Sequence, residues 1–357
     1  MKKTSIRTIA SALELSAATV SRALSDSPLV APETRRKILE SARELGYRRT
    51  QKRKRLMVAL SDRFYRGVYD LSLLEEILQQ CRSRDYELLL ATESNFHSLK
   101  EYAVDGLFSL CYNRKTNQQL ARSYRCPLVC FNNYECHREG IFSVNSDEAG
   151  AIAAAVELFH ANGHRRIALL AGVNIGYSNW KRREQFQLAI DRRPELTGFL
   201  YEFYVGTEFV ELTPRIRADK VTALLLPHEG FDLHLLRHLE KAALHVPRDI
   251  SVIAWENPQL SKHTLPPLTT FCQNYPRMAD EGIRLLENLL QLSERQPRNI
   301  LIPYLFLKRQ SVAPPPDGQE TASLAGNRVL SVSLRDRRKP QRRGVREQNS
   351  SFFPSRA

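Results

Sequence analysis

The stretch IRTIASALELSAATVSRALSD, residues 6–26, decides how the N-terminal end folds. Its apolar residues Ile6, Ile9, Ala10 and Leu13 recur at helical spacing, Leu15 leads into Ser16, and Val20, Ala23 and Leu24 resume the spacing. That pattern predicts two short helices separated by a turn. Ser16 suits the N-cap of the second, which then starts at Ala17, because its hydroxyl can accept an amide proton that a first turn leaves unpaired. A third helix is expected from Pro32, a residue favoured in a first turn, through Ile38, Leu39, Ala42 and Leu45 to a stop at Gly46. Three small helices within 47 residues make a helix-turn-helix module. The second helix presents Ala17, Ala18, Thr19, Ser21 and Arg22: slim side chains that can enter a DNA groove, and a guanidinium that can fork onto guanine.

The charge balance agrees with this. The chain has 357 residues, 42% hydrophobic and 26% charged, with a net charge of +14. Residues 1–55 hold 14 Lys/Arg against 5 Asp/Glu, residues 56–313 hold 30 against 30, and residues 314–357 hold 9 against 4. A basic end on a neutral globular middle suits an arm that meets a polyanion and a core that handles something small. No apolar run reaches the length of a membrane span, and MKKTSIRTIASALEL has no apolar stretch of the secretory kind, so a cytoplasmic location is expected. The six cysteines form no C-x-x-C pair and are expected as free thiols, with no metal site at Cys126, Cys130 and Cys136. No two of the 15 glycines lie two apart, which excludes G-x-G-x-x-G, and no P-loop, nucleophile elbow or H-E-x-x-H is present. No cofactor is expected, and an enzyme is the weaker class.

The segment TIASALELSAATVSRALSDSPLVAPETRRKILESARELGY, residues 8–47, resembles the DNA-binding segment of the LacI/GalR family of bacterial repressors, chiefly through T-V-S-R at 19–22 and T-R-x-x-I at 34–38. The resemblance implies that Ala17, Ala18 and Arg22 face base edges while Ser16, Thr19, Ser21 and Thr34 hold phosphates. Two positions depart from the family: Glu14 stands at a turn position that often carries Gly or Asn, and Ala31 replaces the hydroxyl cap of the third helix. The family usually continues with a Pro-Asn turn and a hinge helix that wedges a Leu into the minor groove. Here the connection is RRTQKRKR, residues 48–55, six of eight basic, with no Pro, Ala or Leu. The hinge helix is therefore expected to be absent, with Lys52, Arg53, Lys54 and Arg55 tracking phosphates instead.

In residues 56–313 short apolar runs alternate with helical patterns: LMVAL, then LSLLEEILQQCRSR; YELLLAT, then a helix; VDGLFSL, then TNQQLARSY; PLVCF, then DEAGAIAAAVELFHANG; and so on to PRMADEGIRLLENLLQL. Such alternation means parallel sheets covered on both faces, with too many strands for one sheet. The family resemblance continues through NGHRRIALLAG (162–172), VPRDISVIAWENPQL (246–260), LPPLTT (265–270) and SVAPP (311–315). It implies a type I periplasmic-binding-protein-like core of two Rossmann-like lobes, α/β in class, with an effector between them. Position by position it points to Tyr69, Asp70, Ser178, Arg182, His228, Glu256 and Tyr275, a mixture of carboxylates, Arg and aromatics that suits a hydroxyl-rich sugar. Trp180 and Trp255 are read as packing residues.

The expected organisation is thus a helix-turn-helix domain (1–47), a basic linker (48–55), a two-lobed ligand-binding and dimerising core (56–313) and a basic disordered tail (314–357). The expected protein is a homodimeric, sequence-specific DNA-binding regulator that answers to a small sugar-like effector. The alternative is a small-molecule binding protein or cytoplasmic sugar enzyme with a vestigial head.

Overall fold

The computed structural model describes residues 5–24, 29–45, 47, 53–62, 67–99, 101–134, 141–173, 178–204, 209, 211–291, 299–316 and 329–333. Gly46, Cys136, linker residues 48–52 with Lys52, and tail residues 317–328 and 334–357 lie outside these. Two compact units divide between Lys54 and Arg55.

The first unit is built of α1 (Ile6–Ala12), α2 (Ala17–Leu24) and α3 (Pro32–Glu44). Ile9, Ala10, Val20, Ala23, Val30, Ile38 and Ala42 form its core. Ser5 and Thr8 cap α1 reciprocally, and the Ser16 hydroxyl accepts the Thr19 amide at 3.0 Å. The turn between α1 and α2 closes with the Leu15 amide donating to the Ala10 carbonyl at 2.9 Å, which puts Glu14 at φ +49°. That left-handed position explains why Gly or Asn suits it and why a Glu there is strained. Ala31 leaves α3 without a side-chain cap, as its missing hydroxyl requires.

The second unit holds two sheets. The first has the order β11-β5-β4-β3-β1-β2 and is parallel throughout. Its strands are β1 (Arg55–Leu60), β2 (Glu87–Thr92), β3 (Gly106–Leu110), β4 (Leu128–Phe131), β5 (Phe142–Ser146) and β11 (Asn299–Ile302). Alternate residues of β1 serve opposite faces. Leu56, Val58 and Leu60 join the core under α4 (Val68–Ser83) and α10 (Tyr275–Gln291), whereas Met57 and Ala59 join that under α5 (Arg114–Ser123). α10 lies so close to this sheet that a Cβ at Gly282 would meet Phe131 Cζ at 2.5 Å.

The second sheet has the order β12-β10-β9-β8-β6-β7-β13, with β12 antiparallel to β10. It consists of β6 (Arg166–Val173), β7 (Thr197–Tyr204), β8 (Ala223–Leu226), β9 (Ser251–Trp255), β10 (Thr269–Cys272), β12 (Leu305–Leu307) and β13 (Val329–Ser333). Helices α6 (Glu148–Ala161) and α7 (Ser178–Asp191) cover one face, α8 (Leu212–Ala218) and α9 (Asp232–Lys241) the other.

Three expectations need correction. The helix expected after YELLLAT is a single 3-10 turn, Phe96–Leu99. Arg55 does not belong to the linker: it opens β1, and its guanidinium pairs with the Glu87 carboxylate at 2.8 and 2.9 Å. Residues 329–333, expected within a disordered tail, pair with β7 as a parallel edge strand, because the alternation in VLSVS is that of a strand.

The second sheet is closed at its lower end by His164. Its Nε2 lies 2.9 Å from the Ala313 carbonyl, which can only accept, so Nε2 carries the proton and Nδ1 accepts from Thr222 Oγ1 at 2.9 Å. Burial lowers its pKa from 6.5 to about 4. The stabilisation is therefore complete above pH 6.5 and fades as pH falls towards 4, where the unfolded chain binds a proton that the folded one refuses. Unfolding followed from pH 7 to pH 4 should show a loss of about 3 kcal/mol that His164→Gln lacks. Equal slopes for the two proteins would remove the imidazole as its cause.

Candidate functional site

On the first unit, Ala17, Ala18, Ser21 and Arg22 are exposed along the outer face of α2, while Val20 and Ala23 point into the core. Ser16 and Thr19 are tied together at the start of the helix, hydroxyl to hydroxyl at 2.8 Å. Thr34 is half-buried in the first turn of α3, and Arg53 and Lys54 close the unit. The residues read as groove-facing thus share one exposed helix face.

In the second unit both sheets repeat one order: β2-β1-β3-β4-β5 in the first, β7-β6-β8-β9-β10 in the second. In each, the strand order reverses once, between β1 and β3 and between β6 and β8. A crevice opens beyond the carboxyl ends of the strands at such a switch point. Tyr69 and Asp70 begin α4, just after β1, and Tyr112 follows β3; the Tyr112 hydroxyl donates a short hydrogen bond to Asp70. On the other lobe Ser178 and Arg182 lie on α7 after β6, and Pro227, His228 and Glu229 follow β8. Arg182 donates to the Pro227 carbonyl, and His228 Nε2 accepts the Gly172 amide at 3.0 Å.

The chain passes between lobes three times, after β5, β10 and β11. The residues at these crossings meet. The Glu148 carboxylate receives Arg182 through Nε at 2.9 Å and Nη2 at 3.0 Å, and its Oε1 also accepts from the hydroxyls of Tyr304 at 2.8 Å and Tyr134 at 3.1 Å. Burial works against the charge on Arg182, but Glu148 and its neighbours outweigh it and hold the guanidinium protonated. Beside this pair the Gln273 carbonyl oxygen accepts from Asn132 at 2.8 Å and Ser146 at 2.6 Å, and its Nε2 donates to Glu229 at 2.8 Å. Asn132 is aimed there by a left-handed turn, φ +45°, a conformation Asn tolerates. A pocket of about 360 Å³, lined in part by Tyr134, Ser146, Glu148, Trp180 and Gln185, reaches the same network.

Tyr275, at the start of α10, packs its ring 6.0 Å from that of Tyr69, which lies 6.5 Å from Tyr112. The Tyr69 and Tyr275 hydroxyls are buried without a hydrogen-bond partner among the described residues. Burial, reinforced by Glu229, pushes the Asp70 carboxyl up to about 7. Tyr69, Asp70, Arg182 and Tyr275 therefore surround one cleft. Two residues of the expected set have other partners. Glu256 is held by Arg309 at 2.9 Å through both carboxylate oxygens and by Thr270. The His228 ring sits edge-on to Phe203 and Phe231, kept neutral by burial and by Arg182. Trp255 is buried against Phe271 and Tyr304, whereas Trp180 is 40% exposed.

Tyr112, Asn132, Tyr134, Glu148, Glu229, Gln273 and Tyr304 complete the cleft and were not picked out from the sequence. Each of them follows a strand by one to three residues, and the rule that ligands sit at the carboxyl ends of parallel strands would have found them. No helix among the described residues is long and apolar enough to cross a membrane, and no group of three metal-ligating side chains is found among them.

Residues 5–50 match the family model described as bacterial regulatory proteins, lacI family, and residues 156–312 match that of a periplasmic binding protein-like domain. The chain is 26% identical over 332 residues to the probable HTH-type transcriptional repressor ExuR of Bacillus subtilis, covering 86% of this chain and 98% of that one. It is 28% identical over 326 residues to the HTH-type transcriptional regulator GalR of Lacticaseibacillus casei, covering 83% and 96%. Among solved structures, the lac repressor dimer bound to operator and the anti-inducer ONPF has a TM-score of 0.67 at 20% identity, covering 87% of this chain and all of that one. The CelR–cellobiose complex has a TM-score of 0.62 at 22% identity, covering 86% and 99%.

The Glu148–Arg182 pair offers a direct test of the cleft's architecture. Glu148→Ala would leave a buried guanidinium uncompensated and should cost about 3–5 kcal/mol in denaturant unfolding, most of it recovered when Arg182→Met is combined with Glu148→Leu. A cost near zero for the single change would mean that water reaches the pair.

Proposed function

The chain belongs to the LacI/GalR family of bacterial regulators, and we propose that it is a homodimeric transcriptional repressor whose hold on a two-fold symmetric operator is set by a small hydroxylated effector bound between the lobes. The observation that carries this reading is the exposed face of α2, with Ala17, Ala18, Ser21 and Arg22 on a domain of strongly basic balance. Ala17 and Ala18 offer only methyl contacts, so hydrogen-bonded base readout falls on Arg22, while Ser16, Thr19, Ser21 and Thr34 position the helix on phosphates. Two heads are needed because one small helix pair supplies little affinity, and a two-fold dimer matches two half-sites. The solved relatives named for an operator-bound dimer and for cellobiose support the same combination of parts. A protein that works on an operator does so in the bacterial cytoplasm.

Selection of duplexes from a randomised library by the full-length protein at near-physiological salt tests the reading. Enrichment of a two-fold symmetric motif is expected; survivors without a common sequence would reduce the head to a binder of charge. Arg22→Ala should weaken binding to the selected site by about 1–3 kcal/mol and relax one base position. An equal loss on every sequence would make Arg22 a phosphate clamp. Replacing Lys52, Arg53 and Lys54 by Ala should instead flatten the salt dependence of binding, by about 0.9 in slope for each phosphate no longer neutralised, with the preferred sequence unchanged.

A further inference from the structure

The cleft is richer in negative charge than a neutral sugar requires. Asp70, Glu148 and Glu229 face it against one guanidinium, that of Arg182, which is committed to Glu148. Asp70 accepts from the Tyr112 hydroxyl and Glu229 from the Gln273 amide; among the described residues neither carboxylate forms a salt bridge with Lys or Arg, and Glu229 acts on Arg182 only at longer range, adding to Glu148. Asp70 and Glu229 come from opposite lobes, on backbone segments that approach each other. A Cβ built on Gly230, next to Glu229, would meet Val68, two residues before Asp70, at 4.0 Å. The charge of Glu229 is also felt at Asp70, where it adds to burial in raising the carboxyl.

Tyr112, which donates to Asp70, belongs to a row of three tyrosine rings, its ring centroid 6.5 Å from that of Tyr69, which lies 6.0 Å from that of Tyr275. Two of their hydroxyls, those of Tyr69 and Tyr275, on residues more than nine-tenths buried, lack a hydrogen-bond partner among the described residues. Buried polar groups of this kind are ordinarily satisfied, so the unmet hydroxyls point to a ligand that carries hydroxyls of its own. A neutral polyol would meet them and leave the buried Asp70 and the half-buried Glu229 with no cation bonded to either. A cation between carboxylates and aromatic faces satisfies both requirements at once.

We propose that the effector carries a positively charged amine, seated between Asp70 and Glu229 against the tyrosine faces, with hydroxyls reaching Tyr69 and Tyr275: an amino sugar or a comparable hydroxylated amine. This rests on the effector-sensing reading above. It also gives the effector a way to join the lobes, because its charge is shared by one carboxylate from each.

The test uses the full-length protein, its selected operator and matched sets of glucosamine, galactosamine and mannosamine with the parent sugars and the N-acetyl derivatives. Calorimetry and operator affinity are read for each. At least one amine should bind tenfold or more tightly than both of its uncharged counterparts and shift operator affinity, and Asp70→Asn and Glu229→Gln should each shrink that preference. A parent or N-acetyl sugar that binds as tightly as its amine overturns the charge assignment and leaves the regulator standing. Should no member of the sets bind, the unliganded double variant Asp70→Asn/Glu229→Gln decides. Melting above the wild type upholds two uncompensated carboxylates, and melting below it shows that the fold already satisfies them and overturns the proposal. Absence of any symmetric operator is a separate failure, that of the regulator reading itself.

Discussion

A carboxylate buried at the junction of two lobes, that of Glu148, sets the geometry on which the rest of the cleft depends. Isolated, such a charge costs several kcal/mol to remove from water, so the fold must bring its partners to it. They come from three directions: Arg182 from α7 of the second lobe, Tyr134 from the segment after β4 of the first, and Tyr304 from the last crossing of the chain. Because their acceptor is a single group, the two lobes and the crossings cannot shift independently without leaving it short of hydrogen bonds. The Gln273 network beside it repeats the arrangement with neutral groups, which are cheaper to break and remake.

On the proposed function, the repeated strand order is what would let this junction act as a sensor. Two sheets with the same order each present a switch point, and the three crossings set the two crevices face to face. A ligand between them would touch α4 and the residue after β3 on one side, and α7 and the loop after β8 on the other. Its free energy can therefore favour one lobe arrangement over another, which is all that an effector needs to do to change the spacing of two DNA-binding heads.

Much of this was legible in the sequence. Runs such as LMVAL and RIALLAG read as strands because both faces of a parallel sheet are buried and the runs are apolar throughout. β5, FSVNS, and β7, TGFLYEFY, were not singled out because polar residues interrupt them: Ser143 and Asn145 are buried but bonded to Asn299, and Glu202 meets Arg183. The site was legible where the resemblance supplied it, at Tyr69, Asp70, Arg182 and Tyr275. It was illegible where a residue's role depends on a distant partner. Glu256 reads as a cleft carboxylate until Arg309, 53 residues later, is found holding it, and Glu148 reads as the start of an amphipathic helix until Arg182 arrives from 34 residues away.

The head and its connection obey a different constraint. A domain this small buries few side chains, here seven in its core among the described residues, and is correspondingly marginal. It also carries a Glu at a left-handed turn and an uncapped third helix. Each of these weakens the head without altering the exposed face of α2. The sequence RRTQKRKR cannot supply the apolar wedge of a hinge helix, and its last residue, Arg55, is anchored in β1 by Glu87. On the proposed function, a signal from the cleft would have to reach DNA through the position of β1 rather than through an apolar hinge helix, for which the linker sequence has no residues. The linker's charge then sets how strongly the phosphates hold whichever spacing results.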